Sequence, residues 1–147
     1  MARREFEVST TLTAAPEKAV DFLMEVSAHQ GLHPFLASAT VVGSGASPEG
    51  PWWDWSVVER PALGPLRYRL RFQARMTRTS PTSMTSLVHA APGCWLRGTT
   101  VAHPHGEGCR LVETTEVRAP RLVLGYMARN AQGAHVRTYS RLEDVLG

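Results

Sequence analysis

Two residues stand out for the chemistry they could carry, Glu113 and His135. Glu113 falls in the alternation Cys109, Leu111, Glu113, Thr115, Val117, which puts it on one face of a strand beside aliphatic neighbours. If Leu111 and Val117 mark the inward face, the carboxyl sits in dry surroundings, its pKa rises, and it can act as general acid or base. Val112 on the opposite face leaves that orientation open. His135 belongs to the stripe Leu124, Ala128, Ala131, His135, Thr138, Leu142 and Val145, the spacing of one helix face. It would face the sheet and either pair with Glu113 or bind a ligand carbonyl. The plainer reading makes both of them hydrogen-bonded polar residues in the core or at a cavity mouth. The catalytic residues stay unknown, with Glu113 and His135 as candidates.

The run Trp52-Trp53-Asp54-Trp55 is the most unusual local feature. In a strand, Trp53 and Trp55 share one face and Trp52 shares the other with Asp54. Trp53 and Trp55, with Tyr68 and Phe72 from the next strand, either pack the core or line a pocket for a flat or greasy ligand. The row Arg67, Arg69, Arg71 and Arg75 could clamp an anion, but it is also what the solvent face of a twisted strand requires. His103, His105 and Cys109 superficially resemble a metal cluster. Pro104 and two glycines mark the segment as a turn, and closed zinc sites need four well-placed ligands. Phosphate loops, Gly-x-Gly-x-x-Gly, Gly-x-Ser-x-Gly, His-Glu-x-x-His and Cys-x-x-Cys are all missing. No cofactor or metal is expected.

The elements that would position these residues follow from periodicity. Residues 5–14 alternate as a half-buried strand. Pro16 and Glu17 then suit the first turn of a helix carrying Ala19, Phe22, Leu23 and Val26, and Gly31 and Pro34 break a second one short. From residue 37 to about 118 the period is two, and turn signals divide the stretch into six strands. The clearest of them starts after Gly64-Pro65, with Leu66, Tyr68, Leu70, Phe72, Ala74 and Met76 on one face. After Pro120 a helix of about 25 residues follows. The order is strand, two short helices, six strands, long helix. It describes an α+β fold whose curved sheet of about seven strands wraps its concave face around the C-terminal helix and keeps its convex face polar.

The chain has 147 residues, 43% of them hydrophobic and 20% charged, which suits one domain over residues 1–147 and disfavours a two-lobed enzyme or a disordered chain. The net charge of +3 is carried almost wholly by arginine, with Lys18 the single lysine, and without dense basic clusters no nucleic-acid partner is expected. Cys94 and Cys109 would lie at different distances from a turn at residues 103–108, too far apart to bridge. Free thiols, no apolar leader segment and no apolar run of about 18 residues point to the cytoplasm, without stable membrane insertion.

The element order, the run Glu59-Arg60-Pro61-Ala62-Leu63-Gly64-Pro65-Leu66-Arg67-Tyr68-Arg69 and the closing Ala134-His135-Val136-Arg137 with Leu142 resemble the START/Bet v 1-like (SRPBCC) superfamily, in particular its bacterial polyketide cyclase/dehydrase-like branch. The resemblance spans nearly the whole chain and implies a helix-grip fold with a hydrophobic cavity between sheet and long helix. A small hydrophobic molecule, such as a lipid, fatty acyl chain or polyketide-like aromatic, is then the expected partner, and a homodimer is compatible with it. The alternative is a polyketide aromatase/cyclase or dehydratase working in the same cavity. The expected ligand-binding residues are Trp53, Trp55, Tyr68, Phe72, Met84, Phe35, His135 and Tyr139. His33-Pro34-Phe35 would form a gate, with Met24 and Met127 as further adaptable walls. A carrier's cavity should be nearly all apolar, whereas a cyclase needs polar groups inside, for which Thr10, Ser86 and Thr115 join the candidates above.

Overall fold

A computed structural model describes residues 1–147, with every side chain except that of Leu63. The chain opens with β1 (Ala2–Leu12), α1 (Pro16–Met24) and a 3-10 turn (Val26–His29). Strands β2 (Leu36–Ser47) and β3 (Gly50–Glu59) follow, then a minimal hairpin of β4 (Ala62–Leu63) and β5 (Leu66–Arg67). Next come β6 (Leu70–Ser80), β7 (Ser83–Ala91), β8 (Cys94–His105) and β9 (Gly108–Ala119). The chain closes with α2 (Arg121–Ser140) and α3 (Leu142–Leu146). Seven strands form one antiparallel sheet in the order β1-β9-β8-β7-β6-β3-β2.

Each helix is held by the face that its sequence makes apolar. In α1, Pro16 supplies the helical φ at the first turn, Glu17 complements the positive helix end, and Ala19, Val20 and Leu23 are buried. α2 starts behind Pro120 and buries Leu124, Ala128, Ala134, Thr138 and Tyr139. It lies mainly on β1 and β9, while α1 covers β8 and β9. The concave side of β3, β6 and β7 is therefore only thinly covered, α1 touching β6 and β7 alone among these strands. Core packing divides accordingly. A large cluster built on Phe6, Val8, Val20, Leu111, Val117 and Leu142 occupies the β1/β9 side, and a smaller one of Val26, Trp55, Val57 and Ala74 occupies the β3/β6 side.

Several expectations need correction. The C-terminal helix does not run on for about 25 residues. It turns at Arg141 (φ −108°, ψ −3°), so that Leu142 and Leu146 of α3 become buried and the Glu143 carboxylate accepts hydrogen bonds from the Thr13 backbone N–H and hydroxyl. A straight helix would carry Leu142 off the sheet, and Val145, expected on the apolar stripe, is exposed. The strand expected from Leu66 to Met76 is split. Gly64, in the left-handed region at φ +60°, closes the β4–β5 hairpin, Leu66 is exposed, and the pairing with β3 begins only at Leu70. The expected loop at residues 103–108 is a two-residue turn, because Pro104 and His105 still pair with Cys109 and Gly108, and Gly106 at φ +57° supplies the bend. Cys94 and Cys109 are buried and unbridged.

The convex face is not uniformly polar. Trp95 stacks on His89 at 4.0 Å between ring centroids. The Arg75 guanidinium lies 3.8 Å above the Trp52 ring and is held by both oxygens of Asp54. The arginine row is thus partly tied down within the sheet surface.

Candidate functional site

The thinly covered part of the concave face and the side of α2 turned towards it enclose a cavity of about 220 Å³. Its apolar wall comes from alternate residues of the sheet, including Val57, Leu70, Phe72, Met76, Met84 and Val88, and from Leu23, Phe35 and Met127. Period-two alternation puts these side chains inside and the arginines between them outside. The volume lies below the roughly 300–1,000 Å³ usual for ligand sites, which favours a compact ligand over a long extended one.

The rest of the wall is polar. Glu113 is buried and accepts hydrogen bonds on the same oxygen, Oε1, from the Thr115 hydroxyl (2.8 Å) and from His135 Nδ1. Strand alternation places Glu113 and Thr115 on one face of β9, and α2 brings His135 over them. Phe6 packs edge-on against the imidazole at 5.7 Å between centroids and limits its rotation. Burial opposes the charge on Glu113. The positive His135 beside it, with the hydrogen bonds from His135 and Thr115, prevails and holds the carboxyl at about 2. Burial likewise disfavours charge on His135, and Glu113 outweighs it, raising the imidazole above its ordinary value. The elevation expected for Glu113 is therefore reversed, because a dry cavity raises a carboxyl only where no cation meets it. Next to this pair the buried Tyr139 hydroxyl lies close to Glu113 and Thr100 but makes no well-formed hydrogen bond to either, and burial, then the Glu113 charge, raises its pKa well above the ordinary phenol.

A second polar group lies across the cavity. Glu59, at the end of β3, faces His33 with Oε2 at 3.6 Å from Nε2. The backbone N–H of Phe35 donates to His33 Nδ1 at 3.2 Å, so the neutral ring carries its proton on Nε2, towards Glu59. Burial, then repulsion from His135, lowers His33 to about 3. Burial raises Glu59 to about 7, with the positive His135 partly opposing. His29, held by the Phe22 carbonyl at 3.0 Å, is lowered chiefly by burial. The His33 and His135 rings lie 6.2 Å apart, so the polar wall runs from Glu59 through His33 and His135 to Glu113. Finally, the Tyr68 and Tyr126 hydroxyls hydrogen-bond at 2.5 Å, joining the chain just after the β4–β5 hairpin to α2. Burial, followed by this bond, pushes Tyr68 up to about 12.

Among the residues expected from sequence, Phe35, Tyr68, Phe72, Met84, Glu113, His135 and Tyr139 line the cavity, together with Ser86, Thr115 and Met127. Trp53, Trp55, Met24 and Thr10 do not. Trp55 is buried in the smaller core cluster against Val26, where the 3-10 turn covers it, and Trp53 lies one pleat nearer the strand's open end and is 36% exposed. Glu59, His29, Tyr126 and Asn130 were not anticipated. Glu59 carried a legible signal, since it continues the Trp53, Trp55, Val57 face inward. Gly98 was also missed. A Cβ there would stand 2.7 Å from Ser86 Oγ and 3.4 Å from Thr115 Oγ1, so its bare backbone keeps room for two lining hydroxyls. Among the described residues no group of three His, Cys, Asp or Glu side chains converges as a metal site. No helix is long and apolar enough to cross a membrane.

No protein-family profile and no curated sequence matches the chain. Solved structures do. TTHA0849 from Thermus thermophilus superposes with a TM-score of 0.74 at 19% identity, covering 96% of this chain and 95% of that one. The Zhui aromatase/cyclase from Streptomyces sp. R1128 gives 0.69 at 11% identity, covering 99% and 92%. The protein thus has the helix-grip, Bet v 1-like fold that these solved structures share. At such identities the likeness concerns the fold, and function rests on the site.

Proposed function

We propose that this single domain binds a small, largely apolar molecule in the cavity between the sheet and α2. The observation that carries the reading is the cavity itself, with aliphatic, aromatic and methionine walls on one side and a continuous polar wall on the other. Apolar contact supplies affinity, while the Tyr139 hydroxyl, only loosely held by Glu113 and Thr100, and the ring nitrogen of His135 not engaged by Glu113 are donors that fix a ligand oxygen. Free buried thiols fit a cytoplasmic setting for such a binder. The test is a thermal-shift titration with naphthylethanol. A saturable rise in melting temperature that disappears on blocking the cavity by Ala131→Trp supports the reading, and no shift at millimolar probe rejects it.

A second reading, an aromatase/cyclase or dehydratase, is favoured by the placement of Glu113, His135 and Tyr139 on one side of the same cavity. A protonated His135 steadied by Glu113 would polarise a ketone oxygen and stabilise the enolate that forms, while the cavity wall folds the flexible chain. Turnover of a poly-β-ketone thioester mimic, lost in His135→Ala, would establish it. Binding of that mimic without turnover leaves the carrier.

A further inference from the structure

Fixed charge divides the ligands this cavity can hold. Although the chain is rich in arginine, no arginine or lysine among the described residues lines the cavity. Its one favoured cation, His135, is already neutralised by Glu113. His33 and His29 are held in their neutral forms by burial. An anionic head group therefore finds no free countercharge. Glu59 is in the opposite position. Its carboxyl makes no hydrogen bond to the protein among the described residues, and its nearest polar partner is the Nε2–H of His33, beyond hydrogen-bond distance at 3.6 Å. A cation placed beside it would restore the solvation that burial removes.

We propose that the ligand carries a basic nitrogen on its apolar body and that Glu59 receives this nitrogen as an ion pair. The proposal rests on the ligand-binding reading above and narrows it. Glu59 faces His33 from the segment after the 3-10 turn, His135 from α2 and Tyr68 from the segment after the β4–β5 hairpin. Of these, only His135 bears charge near neutrality, and Glu113 balances it. Binding of the amine then draws the proton off Glu59 and releases it to solvent. Preference for amines grows as pH rises through the value of about 7 at which Glu59 ionises.

The experiment compares naphthylethylamine, naphthylethanol and naphthylacetate by isothermal titration calorimetry on the intact protein, in two buffers of different ionisation enthalpy. The expected order is amine, then alcohol, then carboxylate, with the amine about tenfold or more tighter than the alcohol at pH 8 and proton release near pH 7. In Glu59→Gln the amine-to-alcohol ratio falls to about one. Alcohol binding without amine preference, or an amine preference retained in Glu59→Gln, overturns the proposal and leaves the binding site standing. Failure of all three probes to bind overturns both.

Discussion

His135 Nδ1 donates its proton to Oε1 of Glu113, the oxygen that also accepts the Thr115 hydroxyl. Helix α2 and strand β9 are thereby joined by a charge pair inside the cavity wall, where apolar contact alone would leave both groups unsatisfied. This pair makes the cavity polar on one side without giving it a net charge.

Breaking the pair should be more disruptive than its absence would be. Glu113→Gln removes the charge that keeps His135 protonated, so burial returns the imidazole to its neutral form, and loss of the charge-assisted hydrogen bond should destabilise the protein by about 1.5–3 kcal/mol. In a double-mutant cycle, Glu113→Gln with His135→Gln should recover part of this loss in urea unfolding at pH 7. Strict additivity would show that the two residues do not interact.

Glu59 should leave a distinct mark on the pH dependence of stability. Its folded-state pKa is raised from 4.5 to about 7, so the folded protein holds a proton that the unfolded chain releases, and stability falls as pH rises through that window. Glu59→Gln removes this slope. The melting-temperature difference between Glu59→Gln and wild type should therefore shift in favour of the variant between pH 4.5 and 7 and level off above it. A difference independent of pH would contradict the assignment.

Acid should act through the histidines and Glu113. His33 is neutral when folded down to about 3 and charges near 6.5 when unfolded, so its contribution to stability declines as pH falls across that interval, offset above pH 4.5 by the gain from Glu59. Glu113 adds a further loss between 4.5 and about 2. His33→Asn should leave the Glu59 gain unopposed above pH 4.5, so that the variant gains stability relative to wild type as pH falls from 6.5, in acid titrations followed by circular dichroism.

The Tyr68–Tyr126 bond should matter more for exchange than for folding. Removing one hydroxyl with Tyr126→Phe costs about 0.5–1.5 kcal/mol, since both rings keep their packing and part of the solvent contact. Because the bond closes the gap between the hairpin segment and α2, ligand release should quicken several-fold in stopped-flow displacement, with Tyr68→Phe behaving alike. Unchanged release would exclude a role at the cavity mouth.

Filling the space above Gly98 should weaken binding without unfolding the chain. In Gly98→Ala the new methyl must push Ser86 aside, and a serine side chain can turn into the cavity at small cost. Affinity for naphthylethanol should fall while the melting temperature changes little. Equal affinity would show that the ligand lies away from β7 and β8.

The elements were legible where one period dominates. Alternation on β9 put Glu113 on one face with Leu111 and Val117 without deciding which face is inward, helical spacing put His135 towards the sheet, and Pro16 and Pro120 marked helix starts. The extent of α2 was not legible, because Leu142 continues its stripe in sequence, although the chain turns at Arg141 to bury that leucine elsewhere. The two tryptophans show the same limit. Alternation assigns Trp53 and Trp55 to the concave face, but whether that face meets a cavity, the 3-10 turn or solvent depends on what packs opposite each residue along β3.

Local pattern and backbone geometry, both properties of neighbouring residues, are enough to determine the α+β element order, which residues share a face of each strand and the absence of familiar catalytic motifs. The site's electrostatics belong to the tertiary structure alone. Glu59, Glu113, His33 and His135 come from four separate segments, and each pKa follows from which of the others it faces and how much water remains between them. For that reason one carboxylate of the cavity is held ionised and the other is left near neutrality, although in sequence they are two ordinary glutamates on two ordinary strands.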